Sequence, residues 1–290
     1  MDVVFRSFTR EELDQQYDAT ASIPDRECLI KKFKELSQNL VGNQRHKLDI
    51  SYGPNVDEQV DLFFPENLSP LAPVHVFLHG GYWYQFTKSE WSFIAEALCG
   101  RGAIVAVPTY SLCPKMKVSE IMRQMQRFIV WLQENIGSHG GDPDQIYLSG
   151  HSAGGYMAVA LLLTDWNADY TLPQDVIKGV TTISGVHDLQ PLQFSYLQSK
   201  LRLDESELGL LSLSEKLVRY RGKATINCFV GGDETSEFHR QCKDLAEIWQ
   251  SHNHTGMWTS IAGRNHLDIL FDLSESQGPI AQKISVQMKL

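Results

Sequence analysis

The chain has 290 residues, of which 42% are hydrophobic and 21% charged, and its 35 acidic residues against 26 basic ones give a net charge of −9. This composition is ordinary for a globular protein with a sizeable core, whereas the acidic balance argues against a nucleic-acid-binding surface and against an anionic membrane surface. The five cysteines form no CxxC pair, which argues against a disulfide framework and against a zinc site.

Short runs rich in apolar and β-branched residues predict about eight strands. The middle runs lack polar alternation, which is typical of strands in a sheet that helices cover on both faces. The first two runs are joined by the short stretch GPNVDE, so we expect them to form an antiparallel hairpin at the sheet edge. The runs are 47–53, 59–65, 74–80, 103–110, 145–150, 176–185, 224–232 and 256–263.

Helical patterns at 89–102, 118–137 and 236–252 lie between the later strands. The first follows Thr87 with Glu90 three residues on, which predicts a capping box. Strand and helix alternate from residue 74 onward, so we predict a mostly parallel α/β sheet.

The stretch 187–222 interrupts this alternation and predicts a small helical excursion over the strand ends. Because ligands of open α/β sheets bind outside the carboxyl ends of the strands, we expect the excursion to form part of a pocket wall. We predict a single domain over 1–290, with 187–222 as a cap-like insertion.

The stretch GHSAGG, residues 150–155, lies where a predicted strand turns into a predicted helix. Ser152 is the central residue of a Gly-x-Ser-x-Gly motif, and such an elbow holds a nucleophilic serine in a strained turn that flanking side chains would obstruct. The alternative is an ordinary glycine turn. The strand before it and the helix after it favour the nucleophile.

The stretch HGGYW, residues 79–83, follows the predicted strand VHVFL. Its two glycines allow the backbone to approach a substrate, and backbone N–H groups can stabilise the oxyanion that develops during acyl transfer. We therefore expect the oxyanion hole to use the N–H of Ala153 with one or two from Gly81 and Tyr82.

A serine nucleophile also needs a base and an acid, which in this kind of fold follow it in the order serine, acid, histidine. His266 lies just past the last predicted strand and is the expected base. Asp233 and Glu234 follow the preceding strand, and either carboxylate could orient the imidazole.

With these motifs assembled, the chain resembles the kynurenine formamidases, or arylformamidases, of the α/β-hydrolase fold. The resemblance covers nearly the whole chain, and HGG-x-W is more specific than the serine motif. It rests on HGGYW, YSLCP, GHSAGG, SGVHDLQPL, ETSEFHRQC, NHLDIL and the early stretch YDATASIPD.

The resemblance implies a reaction and an acid. In the family the acid stands four residues before the phenylalanine of an EF pair, which places Glu234 ahead of Phe238, where the animal enzymes have aspartate. The implied reaction is hydrolysis of N-formylkynurenine to formate and kynurenine through an acyl-enzyme on Ser152. A short-chain carboxylesterase is the alternative, and a catalytically inactive binding module is a third reading.

An aryl substrate would suit an aromatic pocket wall, for which Tyr82 and Trp83 are the candidates, with core packing as the other reading of both. We expect a small-molecule substrate, no cofactor and no metal, no nucleic-acid or membrane partner, and leave a homodimer open. The opening stretch MDVVFRSFTREELDQQYD has acidic residues where a signal peptide would be apolar, so a cytoplasmic setting is expected.

Overall fold

The computed structural model describes residues 2–21 and 23–290 and is built around one large sheet. Within these residues a small two-stranded ribbon, β1 with β2, lies outside it. The strands are β1 (Val3–Phe5), β2 (Phe8–Thr9), β3 (His46–Ser51), β4 (Gln59–Phe63), β5 (Ala72–Leu78), β6 (Ile104–Pro108), β7 (Gly141–His151), β8 (Ile177–Ile183), β9 (Thr225–Gly231) and β10 (Gly256–Ile261).

The large sheet has eight strands in the described part of the chain, in the order β10-β9-β8-β7-β5-β6-β4-β3. The six strands from β10 to β6 are parallel, whereas β4 and β3 run antiparallel at one edge. The prediction of an α/β fold with a mostly parallel sheet and an edge hairpin is therefore confirmed.

Helices cover both faces of this sheet. On one face α4, α5 and α10 contribute to one apolar cluster, and on the other α2, α3 and α12 contribute to a second. The helices are α1 (Arg10–Tyr17), α2 (Arg26–Asn43), α3 (Ala95–Cys99), α4 (Val118–Asn135), α5 (Ala153–Leu162), α6 (Trp166–Tyr170), α7 (Gln198–Leu201), α8 (Glu205–Leu211), α9 (Ser214–Arg219), α10 (Ser236–Ser251), α11 (Phe271–Ser274) and α12 (Pro279–Met288).

Strand alternation explains why the middle strands are apolar throughout. In β6, Ile104 and Ala106 point into the cluster under α4 and α5, whereas Val105 and Val107 point into the cluster under α2 and α3. All four side chains are fully buried. Side chains alternate between the two faces of a strand, so a strand covered on both faces must be apolar at every position.

The predicted helix 89–102 is broken in the structure. The capping box holds, since the Glu90 carboxylate accepts the Thr87 N–H at 3.0 Å, but two 3₁₀ turns, Lys88–Glu90 and Ser92–Ile94, precede α3. The backbone leaves helical geometry at Trp91 (φ −121°, ψ 3°), whose buried indole packs against Phe33 at 5.5 Å.

The excursion at 187–222 contains a 3₁₀ turn, Gln190–Phe194, followed by the short helices α7, α8 and α9. At the other end of the chain, α1 and α2 were not among the predicted helices. No helix in residues 2–21 and 23–290 is both long and apolar enough to cross a membrane.

The parallel arrangement brings the functional motifs together. HGGYW follows β5, Ser152 follows β7, Glu234 follows β9 and His266 follows β10. Because the carboxyl ends of parallel strands lie at one edge of a sheet, the loops after these strands meet there.

Candidate active site

Ser152 lies at the single-residue junction between β7 and α5. Its backbone has φ +55° and ψ −119°, a region that non-glycine residues rarely adopt, and its side chain is buried. Such strain persists where the surrounding structure enforces it, and it is the geometry expected of a nucleophile elbow.

Two glycines allow this turn because other backbone segments lie against them. A Cβ on Gly150 would lie 2.0 Å from the carbonyl oxygen of Gly154, and a Cβ on Gly154 would lie 1.9 Å from that of Leu78. Both contacts are with backbone, which cannot move aside as a flexible side chain can. Any side chain at either position would therefore displace the elbow.

His266 and Glu234 form a buried pair. The Nδ1 of His266 lies 2.6 Å from Oε2 of Glu234, and the two side chains are 6% and 1% exposed. The other carboxylate oxygen, Oε1, accepts the Ser184 hydroxyl at 2.5 Å and the Gly231 N–H at 2.6 Å. The acceptor at Nδ1 requires the proton on that nitrogen, which leaves Nε2 available as a base.

Asp233 does not reach the imidazole. Its backbone N–H donates to the carbonyl of Arg264, and its side chain is exposed. Of the two adjacent carboxylates, the structure thus brings Glu234 to His266.

The imidazole of His266 is held between two other rings. The rings of His151 and Phe238 each lie 4.6 Å from it, and His151 Nε2 donates to the His266 carbonyl oxygen at 2.7 Å. Burial, followed by the nearby imidazole of His266, lowers the pKa of His151 well below its usual range, so this side chain is neutral. His151, which sequence reasoning did not single out, thereby fixes the loop that carries His266.

Ser152 and His266 line the same cavity, yet no hydrogen bond joins their side chains within the described residues. Serine-to-histidine hydrogen bonds are often long before a substrate is bound and tighten in the complex. The two groups are therefore placed to act on one bound molecule.

The HGGYW loop presents backbone donors to this cavity. Gly81 and Tyr82 have φ +105° and +47° and line the cavity beside Ser152. In the part of the chain that the structure describes, the N–H groups of Gly81, Tyr82 and Ala153 donate to no protein acceptor. A Cβ on Gly80 would lie 3.0 Å from Cβ of Ser152, so the loop packs directly against the elbow.

The cavity has a volume of about 570 Å³, and several of the residues that line it are aromatic. Of the two aromatic residues predicted for its wall, Tyr82 lines it and anchors its hydroxyl on the Tyr17 carbonyl at 2.8 Å. The remaining aromatic residues of the wall are Tyr84, Phe86, Trp91 and Tyr196.

Trp83 is not part of this wall. It is fully buried and packs edge-on against Tyr156 with the ring centroids 5.6 Å apart. The tight turn at positive φ sends consecutive side chains to opposite sides, so Tyr82 faces the cavity while Trp83 enters the core. The expectation that Trp83 binds substrate is corrected accordingly.

The 187–222 excursion contributes to the cavity wall, and so does the N-terminal segment, which was not assigned to the wall from the sequence. Tyr196 is the residue of the 187–222 excursion that lines it in the described residues, and His187 of the excursion lines a separate cavity against α10. A further part of the wall comes from the N-terminal segment, through Asp18, Arg26 and their neighbours. The stretch YDATASIPD could have indicated that this segment lines the cavity, because it is part of the family resemblance and had no other assigned role.

The comparisons with known proteins agree with this geometry. Residues 75–209 match the family model described as alpha/beta hydrolase fold. The chain is 27% identical over 279 residues to the kynurenine formamidase of Danio rerio, covering 93% of each chain. It is 29% identical over 257 residues to the kynurenine formamidase of Salmo salar, covering 85% of each.

Solved structures include similar proteins of the same fold. A Silicibacter sp. TM1040 protein, provisionally named a thioesterase, has a TM-score of 0.78 and 29% identity and covers 93% of this chain and 98% of its own. Esterase B from Lactobacillus rhamnosis has a TM-score of 0.67 at 16% identity and covers 92% of this chain and 95% of its own, a likeness of fold alone.

Proposed function

We propose that this chain, which belongs to the kynurenine formamidase family of the α/β-hydrolase fold, hydrolyses an aryl formamide, N-formylkynurenine, to kynurenine and formate. The observation that carries the proposal is the buried His266–Glu234 pair, 2.6 Å apart, which shares an aromatic-walled cavity with a strained serine. The curated relatives named above carry this activity in their names.

In the first half of the reaction, Ser152 Oγ attacks the formyl carbon while His266 Nε2 takes the hydroxyl proton. Glu234 stabilises the imidazolium that forms. The carbonyl oxygen becomes an oxyanion, which accepts hydrogen bonds from the N–H groups of Gly81, Tyr82 and Ala153, and losing one such donor typically costs about 3 kcal/mol.

In the second half, the tetrahedral intermediate collapses and the bond from the formyl carbon to the aryl nitrogen breaks. An amide nitrogen leaves poorly unless it is protonated, so His266 gives its proton to that nitrogen and kynurenine departs as the neutral aryl amine. Water then attacks the formyl ester while His266 takes its proton. The bond from the formyl carbon to Ser152 Oγ breaks, Oγ takes the proton back from His266, and formate leaves.

A short-chain carboxylesterase is the second candidate. It is favoured by the 29% identical Silicibacter protein that is provisionally named a thioesterase, and it would use the same catalytic groups. A formamidase and an esterase differ in the shape of the pocket they need. The formyl group of a formamide needs little room beside the serine, whereas its aryl group needs a wall to pack against.

The deciding experiment compares kcat/KM for N-formylkynurenine with that for p-nitrophenyl acetate and butyrate. We expect the formamide to be the preferred substrate. Good ester hydrolysis with formamide turnover no faster than the uncatalysed rate would reject the formamidase and leave the esterase.

A fluorophosphonate probe tests the inactive-module alternative. We expect labelling of the wild type and none of Ser152→Ala, whose hydrolysis rate should fall by about 10⁶. A wild type that is never labelled would contradict the serine mechanism altogether.

We also propose that the enzyme works in a reducing compartment such as the cytoplasm. All five cysteines are free thiols and four of them are buried. Full activity in excess dithiothreitol is expected, and a loss of activity there would contradict the proposal.

A further inference from the structure

The cavity around Ser152 changes in chemical character from its floor to its mouth. The floor holds Ser152 and His266, both buried, and the middle is aromatic. The mouth is formed by the N-terminal segment, where the side chains of Arg26 and Glu27 are exposed and that of Asp18 is half-buried. A molecule that fills this cavity therefore meets both the buried catalytic groups and charges of both signs on exposed or half-buried side chains.

The charges at the mouth are not engaged with each other. Within residues 2–21 and 23–290, the Arg26 guanidinium bonds the Thr20 hydroxyl at 3.3 Å and has no carboxylate within ion-pair distance. Asp18 uses its backbone to end α1, and its carboxylate has no protein partner in the same residues. Both groups can therefore bind a ligand without first breaking an ion pair.

Two tyrosines show that these charges act on the same space. Burial raises the pKa of the Tyr84 hydroxyl, and the negative charge of Asp18 adds to the rise while the positive charge of Arg26 opposes it. Burial also raises the pKa of Tyr196, with Asp18 and Arg26 again acting in opposite directions. Both rings line the cavity, so Asp18 and Arg26 face one mouth.

We propose that this mouth recognises an α-amino acid group, with Arg26 binding its carboxylate and Asp18 binding its ammonium. The inference rests on the proposed function and specifies it. In N-formylkynurenine the formamide and a side chain that ends in one charge of each sign are neighbouring (ortho) substituents of one aryl ring. The buried serine suits the formamide, the aromatic wall suits the ring, and the charges at the mouth suit the end of the side chain.

Arginine suits this role because its planar guanidinium can bind a carboxylate through two parallel hydrogen bonds. The mouth is partly open to water, which weakens each charge pair. We therefore expect the Arg26 contact to contribute about tenfold in affinity, which corresponds to about 1.4 kcal/mol. Because this contact is made to a group that does not change during the reaction, it stabilises substrate and transition state alike and appears in KM rather than in kcat.

The test measures a selectivity ratio, kcat/KM for N-formylkynurenine divided by kcat/KM for formanilide, which is an aryl formamide without charges. Arg26→Ala is expected to lower this ratio about tenfold through KM, Arg26→Glu to lower it further, and Arg26→Lys to recover part of it. Asp18→Asn is expected to lower the ratio by a smaller factor. Arg123→Ala, an exposed arginine on α4 away from the cavity, is the matched control and should keep the wild-type ratio.

A second measurement does not depend on formamide cleavage. Kynurenine and 2-aminoacetophenone, which lacks the amino acid group, are compared as competitive inhibitors of p-nitrophenyl acetate hydrolysis. Arg26→Ala should raise the inhibition constant of kynurenine about tenfold relative to that of 2-aminoacetophenone.

The outcomes separate the two proposals. If the wild type cleaves esters but neither formamide, the proposed function is rejected. If Arg26→Ala affects N-formylkynurenine and formanilide equally, and kynurenine and 2-aminoacetophenone equally, only the amino acid mouth is rejected. The amino acid mouth is supported if Arg26→Ala lowers the selectivity ratio, Arg26→Lys recovers part of it and Arg123→Ala leaves it unchanged.

Discussion

The two sides of the cavity are built in different ways. On the sheet side, Ser152, Glu234 and His266 follow strands, and buried hydrogen bonds fix their surroundings. The backbone around the elbow leaves no room for a Cβ at Gly150 or Gly154. The part of the wall that comes from the N-terminal segment instead contributes the exposed Arg26 and Glu27 and the half-buried Asp18, which make no ion pair within residues 2–21 and 23–290. The chemistry is thus placed where the fold permits little variation, and substrate selection where substitutions cost little stability.

After the loss expected for Ser152→Ala, the next largest effect is expected from the acid on the rigid side. Glu234→Gln should lower kcat by about 10⁴, because it removes the charge that stabilises the imidazolium and favours the correct tautomer. Asp233→Asn is the matched control and should change kcat little, since its side chain is exposed. Steady-state kinetics of both purified variants decides, and the reverse ranking would assign the acid to Asp233.

The next prediction tests the elbow by its packing. Gly154→Ala would press a methyl group against the Leu78 carbonyl, and we expect it to lower the free energy of unfolding by about 3 kcal/mol or more. Gly137→Ala, where no atom lies within 4 Å of the added Cβ, should stay within about 0.5 kcal/mol of the wild type. Urea unfolding measures both, and similar stabilities of the two variants would contradict the rigid description of the elbow.

The buried histidines of the sheet predict how stability depends on pH. Burial lowers the pKa of His75 to about 3 and that of His79 to about 4, and it lowers the pKa of His151 as well. Each is neutral when folded and takes up a proton on unfolding below its unfolded pKa near 6.5. Their contribution is therefore complete above pH 6.5 and is lost as the pH falls toward 4, by about 1.4 kcal/mol per pH unit for each histidine.

Urea unfolding at a series of pH values from 7 to 4.5 measures this slope. His75→Gln should lower the slope by the contribution of one histidine, about 1.4 kcal/mol per pH unit, because His79 and His151 remain. A slope that is the same in His75→Gln and in the wild type would show that His75 is not held neutral.

The smallest expected effect is a change in stability at Gly209, which lies in the 187–222 excursion. Gly209 lies inside α8, and an added Cβ there meets no atom within 4 Å. Gly209→Ala should therefore raise the free energy of unfolding by about 0.5–1 kcal/mol, because glycine is disfavoured within helices. Thermal unfolding measures the gain, and kcat/KM should match the wild type because Gly209 does not line the cavity. Lower stability would show that α8 is strained.

Much of the sheet side could be predicted from the sequence because its signals are local. Apolar runs marked the strands, and the elbow residues had to be small for steric reasons. The choice between Glu234 and Asp233 needed the family resemblance, since both follow the same strand and only the turn geometry separates them. Whether Trp83 faces the cavity or the core depends on the backbone angles of a tight turn, which the spacing of residues in the sequence does not reveal.

The part of the cavity wall that the N-terminal segment contributes could not be predicted, because it is formed by contacts between residues far apart in the chain. The charges of Asp18 and Arg26 look like ordinary surface charges until the segment is folded over the strand ends. Similarly, the indole of Trp91 interrupts the helical pattern at 89–102 because it packs against Phe33, more than fifty residues earlier.

Tyr17 has a consequence for how the protein is made. Its carbonyl holds the Tyr82 hydroxyl, while its own hydroxyl donates to Glu237 at 2.8 Å, 220 residues later in the chain. A ribosome adding about 5–20 residues per second needs roughly 10–40 seconds to cover that distance. Throughout that interval the nascent chain lacks the partner that secures its first helix, so the cavity can be completed only after most of the polypeptide has been synthesised.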